Sequence, residues 1–430
     1  MAQPNQPYYV QKSVDKVQSF PFHRSVSSLW EEKWKNLAHS GLYPFGDGKG
    51  EDFDQIFTQL IKESGDDPSV LYDPDRYAKP FFPVADDLVQ RAKEYETVGD
   101  LENARDLFLR AASVYRIARF PIPRSPLGKK AWGLGREAYL NASPYLSPPN
   151  VEVHIPHRHA SLEAGESKDA IIAAFLRFPN NSTKPESGWP LLLFICGLDA
   201  YRTDHTAALP YGKLASHLYH GQAVLLVDIP GTADSPAAPN DPKSPDRLWS
   251  SVLDWVEEHK DQYDFNPSRI LARGISTGGY YAMRIAHTHA DRLLAVVAQG
   301  GGSHHMFDPA WIQAQNHMEY PFALAEALAY KFGYTDVKEY ASGNARERFS
   351  LLESGIFDKG CTRLLLINGM EDSIFPIEDS ILPLRHGSVK DVRLIDGRTH
   401  MGFPEAETIQ RDWLLRILAQ EDERNGRQSR

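Results

Sequence analysis

The stretch Gly274-Ile275-Ser276-Thr277-Gly278 sets a serine between two glycines, directly after the apolar run Ile270-Leu271-Ala272. A serine so placed is a candidate nucleophile, because G-x-S-x-G marks a sharp strand-to-helix turn that exposes the hydroxyl. The glycines let the serine take a crowded backbone conformation and let neighbouring backbones come close. The same string also suits a glycine-rich turn with a capping serine, so its surroundings decide. It follows a strand-like segment and opens a helix-like one, "TGGYYAMRIAHTHA". That is the setting an activated serine requires.

A serine hydroxyl attacks only when a histidine accepts its proton and an acid orients that histidine. In hydrolases built on this turn the chain order is serine, acid, histidine, each at a strand's end. Asp372 follows the apolar run "TRLLLING", and His400 follows "KDVRLIDG". The rivals Glu371 and Asp396 fall at or within strand-like runs, and His386 falls in mid-connection. A developing oxyanion needs two backbone N–H donors. Thr277, next after the serine, supplies one. Leu198, in the loop "CGLDAYRTD" behind the third strand-like run, supplies the other.

That loop also carries Asp199, Tyr201, Arg202 and Asp204, side chains that can reach a substrate; Asp199 can equally fix the loop. His304 and His305 follow the run "LLAVVAQGGGS", at the strand end where open α/β sheets bind ligands. They are candidates for a pocket rim or for packing under a cap. Adjacent histidines do not easily bind one ion, and no HxxxH or CxxC accompanies them, so no metal is expected. His154, His157 and His159 lie along one strand and its exit and are no better placed. No dinucleotide or P-loop glycine pattern occurs.

These residues need a scaffold, and the period of the sequence describes one. From about Asn150 nearly continuous apolar runs ("WPLLLFICG", "QAVLLVDIPG", "RILARGIS", "RLLAVVAQG", "TRLLLINGMED") alternate with helical patterns. Runs apolar on both faces suit a parallel sheet covered by helices, an α/β doubly wound region spanning 150–420. In "SPDRLWSSVLDWVEEHK", Leu248, Trp249, Val252, Trp255 and Val256 share one helical face, with Ser244 as the expected cap. An aromatic stretch at about 304–354 breaks the rhythm and reads as helices inserted over the sheet. Residues 1–145 read as a helical domain: Phe53, Ile56, Phe57, Leu60 and Ile61 line one face, and a helical hairpin turns at Gly99. The charged end, 421–430, reads as a frayed polar tail.

Composition narrows the function classes. A net charge of −10 argues against a nucleic-acid partner. The longest apolar run is about half of a membrane span. The polar start "MAQPNQPYYV" is unlike a secretory signal, and the two cysteines, Cys196 and Cys361, abut buried runs. A reducing compartment, the cytosol, is therefore expected. The sequons at Asn141, Asn180 and Asn181 then carry little meaning.

With these residues in place, the chain resembles the fungal yellowish-green pigment-biosynthesis hydrolases, α/β hydrolases that shorten polyketide side chains. The resemblance is carried by "LWEEKWK", "YPFGDGKGEDF", "RAASVYRIARFP", "CGLDAYRTD", "DIPGTADSP", "GISTGGYYAMRIAHTHADRLL", "INGMEDSIFPIED" and "HMGFP". That family is related in turn to dihydroxypseudooxynicotine hydrolase. The resemblance implies an α/β-hydrolase fold with a mostly parallel eight-stranded sheet, a helical cap and an N-terminal helical domain. It implies a triad at Ser276, Asp372 and His400 and no cofactor. The implied substrate is an aromatic polyketide, such as a heptaketide naphthopyrone, deacylated by C–C cleavage to a smaller naphthol for melanin. An ester or thioester hydrolase acting on another polyketide would use the same triad, and a homodimer stays open. A silent binder on this fold would lose the nucleophile or the histidine; both are present here.

Overall fold

The computed structural model describes residues 20–180, 182–205 and 214–428. The polar start at 1–10 and the sequon at Asn181 lie outside them. Up to Tyr145 the described chain is helical: α1 (Gly50–Ser64), α2 (Phe81–Thr97), α3 (Leu101–Ala118) and α4 (Pro126–Ala142), with short turns between. Each buries the face its spacing marks out. Phe53, Ile56, Phe57 and Leu60 are buried on α1, while Ile61 at the margin is half-buried. The α2–α3 hairpin turns at Gly99 (φ 80°), and Asp100 caps α3 by accepting the N–H of Asn103. Trp34 is fully buried, with its ring edge-on to Phe45, Phe57 and Phe120.

From Val151 the chain builds one sheet of eight strands: β1 (Val151–Pro156), β2 (Ile171–Arg177), β3 (Trp189–Ile195), β4 (Ala223–Val227), β5 (Phe265–Ile275), β6 (Ala295–Gln299), β7 (Arg363–Gly369) and β8 (Asp391–Ile395). Their order is β1-β2-β4-β3-β5-β6-β7-β8. β2 runs antiparallel to both β1 and β4; all other neighbours are parallel. Every residue of β3, β4 and β6 is buried, as expected for strands with helices on both faces. The edge strand β8 is instead exposed over Asp391, Val392 and Arg393 and half-buried at Leu394 and Ile395.

The longest helices packed against this sheet are α5 (Ser244–Glu258), α6 (Thr277–Thr288) and, after β8, α8 (Glu405–Gln428). Ser244 begins α5 rather than capping it; its hydroxyl donates to Ala238 O at 2.6 Å, which fixes the preceding loop. The segment expected to fray continues α8 as far as Gln428. Its glutamates, glutamines and arginines are good helix formers, and Arg269 from β5 pairs with Asp422. Between β6 and β7 lie short helices, the longest α7 (Leu324–Lys331). This insert meets the N-terminal helices through aromatic rings. Phe322 packs on Trp34, Tyr77 and Phe120, and Tyr320 stacks on Phe120 with centroids 5.6 Å apart. Among the described residues no helix is long and apolar enough to cross a membrane.

Candidate active site

Ser276 closes β5 and precedes α6 with φ 53° and ψ −125°, a conformation that costs a non-glycine residue about 1–3 kcal/mol. The flanking glycines are required by contact. A Cβ at Gly274 would fall 2.1 Å from Gly278 O, and one at Gly278 would fall 2.4 Å from the carbonyl oxygens of Ile195 and Cys196. The turn is thus pressed onto the end of β3. Its strain is sustained by a backbone bond from Ser276 N–H to Gln299 O, 2.8 Å, at the end of β6.

At that same end of the sheet, His400 Nε2 lies 2.8 Å from Ser276 Oγ and His400 Nδ1 lies 2.8 Å from Asp372 Oδ2. Both partners of the histidine come from turns that follow strands, β5 for the serine and β7 for the acid. Asp372 is fully buried, and each of its oxygens meets at least two donors. Oδ2 accepts from His400 and from Asn368 Nδ2 (2.8 Å), and Oδ1 accepts from the N–H groups of Ile374 (2.8 Å) and Phe375 (3.1 Å). This fixes the carboxylate, which in turn fixes the imidazole. Burial disfavours charge on His400, but Asp372 overrides it, with Glu319 and Asp199 adding to the pull, and the pKa rises above the ordinary 6.5.

A raised pKa sets the sign of one expected result. A base must be neutral to take the serine's proton, so activity is lost as pH falls through the folded value. The acid limb of kcat/KM should therefore lie above about 6.5. A limb well below 6 would contradict the assignment of His400 as the base.

The oxyanion candidates lie on either side of the serine. Thr277 is the first residue of α6, so its N–H has no acceptor within the helix. A Cβ at Gly197 would lie 3.6 Å from Ser276 Cβ, which brings Leu198, the next residue, beside Ser276. Asp199 is held by two phenols: Tyr43 and Tyr320 donate to its Oδ2 at 2.5 and 2.6 Å. Burial and the Asp199 charge push the Tyr320 phenol well above the tyrosine range, so it stays a donor.

The other expected contacts serve the scaffold. Tyr201 is buried, with the Arg119 guanidinium 3.7 Å from its ring centroid. Arg202, expected to reach a pocket, is fully buried; its fork binds Asp228 Oδ2 (2.5 Å) at the end of β4 and both oxygens of Asp234 (2.6 and 3.0 Å). Arg202→Met strips the buried Asp228 of its counter-charge and should cost roughly 3–5 kcal/mol, read from the denaturant midpoint. A cost under about 1 kcal/mol would show the pair to be dispensable. His304 Nδ1 lies 2.7 Å from Ser350 Oγ, and His305 Nδ1 lies 2.9 Å from Asp308 Oδ2; both contacts tie them into the insert.

Three residues near the triad escaped sequence reasoning: Tyr43, Tyr320 and Glu319. Glu319 Oε2 accepts the N–H of His400 at 3.4 Å. Burial and the charge of Asp372 hold its carboxyl above the usual range, against the pull of His400. No local period marks such residues, because each meets the site across more than fifty positions. The one local feature is that Glu319 and Tyr320 stand side by side in "HMEYPF".

Residues 85–415 match the model of the FrsA-like esterases. The chain belongs to the FrsA-like esterase family. Among its FrsA-like relatives, Esterase FrsA of Escherichia coli is 27% identical over 286 residues, 64% of this chain. The match takes in 61% of that protein, so the chain spans less than two thirds of the curated relatives it matches. Among solved structures, 2,6-dihydroxy-pseudo-oxynicotine hydrolase superposes with a TM-score of 0.61 over 80% of this FrsA-like chain and 88% of its own, at 19% identity. AbyA5 gives a TM-score of 0.56, covering 78% and 88% at 18% identity. At such identities the two superpositions speak for the α/β-hydrolase fold alone.

Proposed function

We propose that this protein is a serine hydrolase in which Ser276 is the nucleophile, His400 the general acid–base and Asp372 the residue that orients it. The observation that carries the proposal is the unbroken hydrogen-bond chain from Ser276 Oγ through His400 to the buried Asp372. Ser276 attacks a carbonyl carbon while His400 Nε2 takes its proton, and the N–H groups of Leu198 and Thr277 receive the oxyanion. As the tetrahedral intermediate collapses, the imidazolium returns that proton to the leaving group. Water, activated by the same histidine, then releases the acyl group as a carboxylic acid.

The substrate we favour is an aromatic polyketide, and the bond is the C–C bond to its acyl side chain. Such cleavage expels a carbanion, tolerable only where an enolate or phenolate system spreads the charge and an acid delivers a proton. His400 charges readily beside Asp372, which suits it to that delivery. Aromatic side chains that accumulate beside the triad support a flat-ring substrate: Tyr43 and Tyr320 on Asp199, Phe120 stacked on Tyr320, and Phe375 edge-on to His400. The resemblance to pigment-biosynthesis hydrolases points the same way. Membership of an esterase family favours a second reading, in which the same steps release an alcohol or thiol. Incubation of the wild-type enzyme with a naphthopyrone heptaketide and with an aryl ester separates the two. The expected products, followed by mass, are a shortened naphthol and the side-chain acid; ester turnover without them would overturn the C–C assignment.

A further inference from the structure

Directly after His400 the chain takes a conformation that L-residues rarely adopt: Met401 has φ 66° and ψ −5°. Both polar groups of its backbone are held by side-chain amides. Met401 N–H donates to Asn368 Oδ1 at 2.9 Å, and Met401 O accepts from Gln299 Nε2 at 3.0 Å. Asn368 and Gln299 are fully buried and stand near the ends of neighbouring strands, β7 and β6.

Each of the two residues also reaches a second part of the site. Asn368 Nδ2 donates to the same oxygen of Asp372 that His400 meets, at 2.8 Å. Gln299 O accepts the backbone N–H of Ser276, and its Oε1 accepts from Arg273 Nη2 at 2.6 Å. The same Arg273 nitrogen lies 2.5 Å from Glu407 Oε1 on α8. The two residues therefore touch all three triad segments without touching the imidazole, Gln299 meeting Ser276 through its main-chain carbonyl and the other segments being met by the side-chain amides.

Resting on the triad reading, we infer that Gln299 and Asn368 are positioning residues that clasp Met401 in its left-handed conformation and so hold His400 between Ser276 and Asp372. A buried amide loses less by keeping its bonds than by leaving them unmade, so the clasp resists any drift of the His400 turn. Reacting groups misplaced by about 1 Å lose roughly 10²-fold in rate.

The test uses Gln299→Met, which keeps length and volume but removes both amide bonds. Gln299→Glu keeps the acceptor for Arg273 and sets a second acceptor against Met401 O in place of the donor, so a variant that retains the Arg273 bond is measured beside one that loses it. For each, Ser276 sites are titrated with a fluorophosphonate, and kcat per titrated site and KM are measured on an aryl ester. The expected result is a fall of roughly 10–100-fold in kcat per site and in labelling rate, with KM within about twofold. A structural role alone would lower the number of titratable sites and leave the rate per site intact, which would overturn the inference. If the wild-type protein does not label at Ser276, the triad reading fails and this inference with it.

Discussion

Ser276→Ala is expected to lower kcat by roughly 10⁴–10⁶-fold and to move the melting temperature by no more than about 2–4 °C. The loss is expected to be large because, on the proposed mechanism, the hydroxyl is the atom that forms the bond to substrate. Its removal leaves His400 with a proton acceptor's position and nothing to deprotonate. What survives is polarisation by the Leu198 and Thr277 N–H groups and the pocket itself. Stability should hardly suffer, since the substitution deletes one hydrogen bond and keeps the strained turn at φ 53°. Ser276→Gly should lose the same activity while relaxing that turn, gaining about 1 kcal/mol. Retained turnover in either variant would remove the serine from the mechanism.

Asp372→Asn is expected to cost about 10⁴-fold in kcat, for a reason that lies in its four donors. Both carboxylate oxygens are acceptors only: one faces His400 and Asn368, the other faces the N–H groups of Ile374 and Phe375. An asparagine must turn its NH₂ toward one pair or the other, so either orientation sets donor against donor. If the NH₂ faces His400, the imidazole is driven into the tautomer whose Nε2 carries the proton and cannot take that of Ser276. If it faces the backbone, the turn that carries the residue opens. The clash should also cost about 1–3 kcal/mol of stability. A near-wild-type rate would mean that some other carboxylate, with Glu319 nearest to hand, orients the base.

The hydrogen-bonded arrangement of Ser276, His400 and Asp372 was legible because each residue sits where the sequence changes period: Ser276 after "RILARGI", Asp372 after "RLLLING", His400 after "DVRLID". Strand ends can be read from apolar runs, and in this sheet the strand ends are where the site is built. The helical face of α1, the hairpin at Gly99 and the helical insert were legible for the same reason, since each buries a stripe of fixed period. Arg202 shows where such reading stops. It stands in the loop that flanks Ser276, so proximity argued for substrate, but Asp228 and Asp234 from the end of the next strand and the loop after it take up its fork. The pairing of a buried cation is decided by tertiary contact. Tyr43 and Tyr320 converge on Asp199 from 156 and 121 positions away, and no local spacing announces that. Ser244 makes the same point on a smaller scale: a cap-forming residue type in the right place was claimed instead by Ala238 O, six positions back.

The most direct test of the nucleophile is the site of covalent capture. Wild-type protein treated with a fluorophosphonate at neutral pH, then digested and mapped by mass, should carry one adduct, on the peptide containing Ser276. The adduct should be missing from Ser276→Ala and should form much more slowly in Asp372→Asn. An adduct on any other residue, or equal labelling of Ser276→Ala, would contradict the account.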